Sequence, residues 1–258
     1  MGVTAVSRYF LRFAALGYLA FLLLVPVAFV FYRAFGDGFG HAWHAVTTPE
    51  ALHALKLTLL SAAIAVPANT VFGIIFALIL VRSRLPGRGV LNAIVDLPLA
   101  LSPIVVGLAL YVLYGRGGWF GGLHVLFSFP AIVLATIFVS LPFVVREVVP
   151  VLREIGTEQE QAAETLGAGP FQIFRRITLP GIRWAVAYGV VLTTARVIGE
   201  FGAVSVVAGT HLTMTTYVKD QFDNFDTSGA YAASVVLALI AIALVVGLRA
   251  LQPREEST

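Results

Sequence analysis

Residues 158–181 read E-Q-E-Q-A-A-E-T-L-G-A-G-P-F-Q-I-F-R-R-I-T-L-P-G, the longest charged interval in a chain that is otherwise almost entirely apolar. Polar helix formers run over 157–166, the stretch 167–169 interrupts them, and Pro170 suits the first turn of a second helix. That second helix carries Phe171, Phe174 and Ile177 at spacings of three, which places them on one face. Leu179-Pro180-Gly181 is expected to end it. The stretch therefore predicts two short helices meeting at a glycine corner, with aromatic knobs and the basic pair Arg175-Arg176 turned to water. An element bent in this way is shaped to sit in a groove of another protein.

Working outward, the composition says what this corner is attached to. Of 258 residues, 59% are hydrophobic and 12% charged, against about 25% charged in a soluble domain. The mean hydropathy is +0.90. Charge this sparse cannot cover a soluble globule, so the whole chain, 1–258, is read as one all-α polytopic transmembrane helical bundle. The net charge of +3 is dispersed along the chain rather than pooled, which argues against a nucleic-acid partner. Cysteine is absent, which excludes disulfides, thiolate metal sites and cysteine nucleophiles.

Six apolar runs are long enough to cross a bilayer, over about 13–31, 52–81, 91–114, 125–145, 184–208 and 229–248. The first is too long for a signal peptide and no small-residue cleavage site follows it, so it is expected to be an uncleaved span. The third contains Asp96, Pro98, Ser102 and Pro103, and its prolines predict a broken or kinked helix. Between the runs lie a polar loop at 36–50, a basic turn at 82–88, and a glycine-rich loop at 115–124 with Trp119 and Phe120 as interface anchors. A polar loop at 209–228 holds Asp220, Asp223 and Asp226, and Arg146 marks the basic exit of the fourth run. Six crossings put both termini on one side. Arg8, Arg12, Arg82, Arg84, Arg88, Arg146, Arg153, Arg175, Arg176, Arg183, Arg249 and Arg254 share that side with the corner, out of 17 Lys+Arg. This bias makes the termini and the corner cytoplasmic.

No catalytic constellation emerges. A G-x-x-x-x-G-K-[ST] run is absent, so the chain is not expected to bind ATP through a P-loop, and H-E-x-x-H is absent too. His41 and His44 share a loop but lack a third ligand nearby, so no metal site is expected. Arg196 and Glu200 lie at i, i+4 within a span, where they can form an ion pair. Ionisable groups inside a membrane tend to pair and often mark a pathway. Such a pair either guides a translocating anion or fixes helix packing, within the chain or against a partner subunit, and both readings stay open here. Freed carbonyls at the expected break are tolerated where they line a cavity. Ser102 and Pro103 therefore join Arg196 and Glu200 as candidate pathway residues. Asp96 is read as an end-of-span residue near a helix N-terminus.

The spacing of the corner resembles a known pattern. Ala162-Ala163, then Gly167, then Ile177-x-Leu179-Pro180 is similar to the E-A-A-x3-G-x9-I-x-L-P "EAA" loop of ABC-importer permeases, with Gln161 standing where that family has glutamate. The resemblance implies a coupling loop over about 149–183, with Gln161, Ala162, Ala163, Gly167, Phe171, Phe174, Ile177, Leu179 and Pro180 facing an ATPase subunit. The run A-R-V-I-G-E-F-G-A-V-S-V-V-A-G at 195–209, the segment 97–114, G-G-W-F-G at 117–121 and the segment 131–147 resemble the W-type subunit of the sulfate/thiosulfate branch. The branch implies a T-type second permease, ATPase subunits holding ATP and magnesium, and a periplasmic or lipid-anchored sulfate-binding protein. It also implies the bacterial inner membrane, with no cofactor on this chain. G-E-F-G-A is shared with molybdate and tungstate permeases, and residues 211–226 depart from the sulfate wording, so a molybdate or tungstate importer is the alternative. An ATP-independent secondary anion transporter, with Arg196 and Glu200 as its coupling pair, is the rival from another class.

Overall fold

In lipid the backbone must satisfy its own N–H and C=O groups, and an apolar chain without strand alternation does this with helices. The computed structural model describes residues 5–83 and 86–251. Among them the α-helices are α1 (Ala5–Ala34), α2 (Phe39–Val46), α3 (Pro49–Arg82), α4 (Arg88–Ala100), α5 (Pro103–Tyr114) and α6 (Phe129–Glu154). They continue as α7 (Glu158–Thr165), α8 (Pro170–Ile173), α9 (Leu179–Ile198), α10 (Gly202–Val207), α11 (Met214–Asp223) and α12 (Thr227–Leu251). A π-helical turn, Phe174–Thr178, joins α8 to α9. Of the basic residues that set the topology, Arg84 and Arg254 lie outside the described residues.

Five stretches are long and apolar enough to cross a membrane alone: Arg12–Ala34, Pro49–Arg82, Phe129–Glu154, Pro170–Ile198 and Thr227–Gly247. The pair α4 and α5 passes the same test together but bends by 110° at its break. Whether that pair crosses or turns back follows from its neighbours. Asn69 of α3 donates to Ser140 of α6, and Arg82 of α3 donates to the Leu152 carbonyl, at sequence separations of 71 and 70. A constant offset means that α3 and α6 run parallel. Two parallel spans need a net crossing between them, so α4 and α5 form one broken span, and the expected six crossings stand.

The core is built on close approach. A Cβ on Gly73 of α3 would lie 2.6 Å from Val144 Cβ of α6, and one on Gly189 of α9 would lie 2.9 Å from Val144 Cα. Small residues at such points let helices meet where lipid offers no hydrophobic drive for association. Ala51, Ala54, Ala62, Ala65 and Ala77 extend the buried small face of α3. Asn69, fully buried, adds hydrogen bonds to Ser140 Oγ at 2.7 Å and the Ile137 carbonyl at 3.1 Å. By contrast α1 buries none of its most apolar window. It packs mainly on α12, where Phe29 meets Tyr231 edge-on at 6.5 Å. The large apolar side chains it leaves open, Phe13 and Phe21 among them, are lipid-facing surface.

Several boundaries differ from the sequence expectation. The polar loops at 36–50 and 209–228 hold α2 and α11, the second opened by a capping box between Thr213 and Thr216. The fourth span is Phe129–Glu154 rather than 125–145. Its start is delayed because Phe127 takes a left-handed conformation, φ 58°, and donates its N–H to Val207. Its end runs on past Arg146, whose Nε donates to Asp96 Oδ1 at 2.7 Å, as far as Glu154. Asp96 accordingly sits in the second half of α4, away from any helix N-terminus. The fifth span starts earlier and ends at Ile198 instead of Ala208.

The contacts at Val144 generate a test. Gly73→Ala and Gly189→Ala are expected to destabilise the protein by about 1–3 kcal/mol each, the usual cost of overpacking. Gly17→Ala, with nothing within 4 Å, should leave stability unchanged or slightly higher. Thermal unfolding of the purified protein in detergent checks this, and equal midpoints for all three variants would contradict the packing described.

Candidate functional site

The corner at 158–181 is built from local chain chemistry. α7 ends in a Schellman motif, in which Ala168 N–H donates to Ala163 O at 3.0 Å and Gly167 N–H to Glu164 O at 2.9 Å. Gly167 has φ +85°, the left-handed conformation such a cap requires. The space around it is open, since a Cβ added there would meet nothing within 4 Å, so the corner is tight in its dihedral and not in its surroundings. Pro170 is the first residue of α8. Leu179-Pro180-Gly181 does not end the second helix. Leu179 N–H reaches Phe174 O, five residues back, and this π-turn lets the helix pass Pro180, which has no N–H to give. The second corner helix and the fifth span are therefore continuous, Pro170–Ile198.

The exposed tip is not the one the spacing predicts. Phe171 is 74% exposed, but Phe174 and Ile177 are half-buried, and the second apolar knob is Leu166, 88% exposed. A groove of about 370 Å³ beside Leu166 is lined by Ala163, Leu166, Gly167, Ala168, Gln172, Ile173, Arg176 and Ile177. Gln161 and Ala162 are exposed beside it, and Gln161 Nε2 donates to Thr157 Oγ1 at 3.2 Å. Leu179 is half-buried and Pro180 exposed at the base. The acidic residue engaged with the rest of the molecule is Glu160, next to the position where the EAA pattern has its glutamate. It pairs with Arg82 of α3, Nε to Oε2 at 3.0 Å, and accepts from Thr178 Oγ1 at 2.8 Å. The basic turn and the acidic neighbour were both visible in the sequence, but nothing in their spacing joined them.

The second site lies half-way along α3, where Ala62 and Ala65 pack on Val197 and Ile198. Here α9 stops, so Arg196 is in its last turn and Glu200 falls just beyond the helix, past Gly199. The ion pair forms nonetheless, Arg196 Nη1 to Glu200 Oε2 at 2.5 Å. Glu200 Oε1 accepts from Ala203 N–H at 2.7 Å, and the Glu200 carbonyl accepts from Thr215 Oγ1 at 2.7 Å. Its side chain is 1% exposed and that of Arg196 27%. A carboxylate so deeply buried requires its counter-charge and its hydrogen bonds together. The α4/α5 break adjoins this one. Gly202 sits so close to Pro103 that a Cβ there would lie 2.8 Å from Pro103 Cβ, and Ser102 is exposed at the break. The four candidate pathway residues thus belong to one mid-depth neighbourhood where two helices are interrupted side by side.

Comparison with known proteins adds to this geometry. Residues 69–257 match the family described as binding-protein-dependent transport system inner membrane component. The sulfate transport system permease protein CysW of Synechocystis sp. (strain ATCC 27184 / PCC 6803 / Kazusa) is 47% identical over 257 residues, covering 96% of this chain and 93% of that protein. The sulfate transport system permease protein CysT of Escherichia coli (strain K12) is 38% identical over 248 residues, covering 92% and 89%. A crystal structure of a bacterial alginate ABC transporter in complex with alginate pentasaccharide-bound periplasmic protein contains a chain that superimposes with a TM-score of 0.79. At 20% identity, over 98% of this chain and 97% of that one, this is a likeness of fold.

Two expectations follow from the sites. Gly167→Val should lower uptake in vesicles more than Gly167→Asn, because a β-branched residue in the left-handed region costs roughly 1–2 kcal/mol and Asn adopts it more readily. Equal uptake by the two variants would remove the dihedral argument. Arg196→Ala, which strands the buried Glu200 carboxylate, should destabilise the protein by about 3–5 kcal/mol, and Arg196→Lys by less. The thermal midpoints of the two variants decide this, and identical values would show that Glu200 does not depend on a cation.

Proposed function

Because the chain belongs to the family of binding-protein-dependent transport system inner membrane components, we propose that it is the transmembrane permease subunit of an ATP-driven ABC importer and carries sulfate or thiosulfate. The observation that carries this reading is 47% identity to a sulfate permease over 96% of the chain, through both candidate sites. The identity to CysT is lower, 38%, which favours the W-type role with a T-type chain as second permease.

In this reading the ATPase is a separate subunit that holds ATP and magnesium, and this chain holds no cofactor. A periplasmic or lipid-anchored binding protein delivers the anion. The membrane is the bacterial inner membrane, and the arginine excess at the α7–α8 end puts that end and both termini in the cytoplasm. Leu166 and Phe171 enter the ATPase cleft, with Gln161 and Ala162 beside them. Closure of the ATPases displaces the corner, and α6 and α9, to which the chain joins it, carry the displacement to the mid-depth break. Access there switches from one side of the membrane to the other. Arg196 is held by Glu200, and its remaining N–H donors suit a tetrahedral oxyanion. Its charge is largely offset, so a passing anion is contacted without being trapped. The exposed Ser102 hydroxyl offers a further donor at the adjoining break.

The test is ATP-dependent uptake of labelled sulfate, with molybdate as competitor, in vesicles holding this chain with its ATPase, second permease and binding protein. Uptake that needs ATP and resists molybdate is the expected result. Uptake blocked by trace molybdate would move the chain to the molybdate importers, and uptake independent of ATP would make it a secondary transporter.

A further inference from the structure

Arg82, expected in a basic turn, ends α3, and its side chain is only 18% exposed. Nη1 donates to Leu152 O at 3.1 Å and Nη2 to Gly156 O at 2.6 Å, closing carbonyls in the last turn of α6 and in the bend after it. Nη2 also donates to Glu160 Oε1 at 3.3 Å. Glu160, in the first turn of α7 and 20% exposed, takes the Thr178 hydroxyl from the π-turn on the same oxygen. One ionic cluster therefore touches the end of α3, the end of α6, the first corner helix and the π-turn. An ion pair with this little water, one charged hydrogen bond and supporting bonds to two carbonyls and a hydroxyl is geometrically specified in a way that an exposed pair is not.

The placement of the cluster matters more than its strength. The corner is joined to the bundle at two pliable points. One is Gly156, in a left-handed conformation at φ +63°, and the other is the π-turn Phe174–Thr178. The chain itself connects the corner only to α6 and α9, whereas Arg82 lies 78 residues from Glu160. The cluster spans both pliable points, since it binds the Gly156 carbonyl on one side and Thr178 on the other. It also adds a third attachment, to the helix that runs the length of the bundle beside α6 and α9.

We infer that Glu160 and Arg82 are positioning residues that lock the corner to the cytoplasmic ends of α3 and α6, so that displacement by the ATPase enters the membrane through α3 as well as through the chain-linked α6 and α9. With the lock closed, corner and helix ends move as one body. With it open, the corner hinges at Gly156 and the π-turn, and ATP is hydrolysed with little movement of the mid-depth break. The inference rests on the reading of residues 158–181 as the ATPase contact.

Sulfate uptake and phosphate release are measured together in proteoliposomes of the full complex, giving anions moved per ATP. The wild-type complex must first move sulfate, which tests the preceding reading and is scored separately. Glu160→Gln and Arg82→Lys, the latter keeping charge but not the fork, are each expected to lower the ratio about five- to thirtyfold. If Glu160→Gln fails to accumulate, Glu160→Asp carries the same measurement. The chain has no cysteine, so an Arg82→Cys, Glu160→Cys pair can be joined by a short bifunctional maleimide. Bridging should recover most of the ratio, while either single cysteine with reagent should not. Uptake and hydrolysis falling in proportion, or a bridged pair as uncoupled as the unbridged one, would overturn the inference.

Discussion

Val144 is where the bundle is pinned. α3 reaches it through Gly73 and α9 through Gly189, each so close that one methyl group would have to displace something. Packing of this kind replaces the hydrophobic drive that lipid removes. Its geometry also propagates. The parallel run of α3 beside α6 obliges α4 and α5 to cross between them, and the antiparallel run of α9 brings the helix that leaves the corner back into the core. Asn69 fixes the register by hydrogen bonds, which slide less freely than methyl contacts.

Against that rigid spine, the two interruptions at mid-depth are well supplied with partners. A helix that stops inside a membrane leaves backbone groups needing hydrogen bonds. Glu200 provides for the start of α10, Thr215 covers the Glu200 carbonyl, and Arg196 provides the counter-charge. The Arg196 charge and the Ala203 N–H together explain why the Glu200 carboxylate can be buried. They also keep the break ordered while leaving the outer side of Arg196 and Ser102 open.

Much of this was legible in the sequence, and the failures have physical reasons. Runs of apolar residues located the spans because length and hydropathy alone decide whether a helix can cross. Pro98 and Pro103 announced the broken third span. The pairing of Arg196 with Glu200 survived the loss of its helix, because a residue one step past the helix end still lies near the preceding turn. Short helices such as α2 and α11 were missed because neither is long enough to cross a membrane, and α11 is polar as well. Pro180 read as a stop because a π-turn leaves no compositional mark. Arg146 read as the exit of a span and Arg82 as part of a basic turn because their partners, Asp96 and Glu160, are distant in sequence and share no period with them. Leu166 was overlooked as a knob because its exposure depends on the corner that follows it, not on its own neighbours.

The marginal contacts of α1 have a consequence for biogenesis. Its principal partner is α12, so the whole of α2 to α11 is synthesised between the two surfaces that must meet. Through that interval α1 resides in lipid without a docking site, and the pinned core of α3, α6 and α9 assembles without it. Closure of α1 onto α12, with Phe29 against Tyr231, has to wait until α12 has been made. A chain lacking α12 would leave α1 bare and would also take from α2 and α11 their main packing partner, so α12 ties the outer elements to the core.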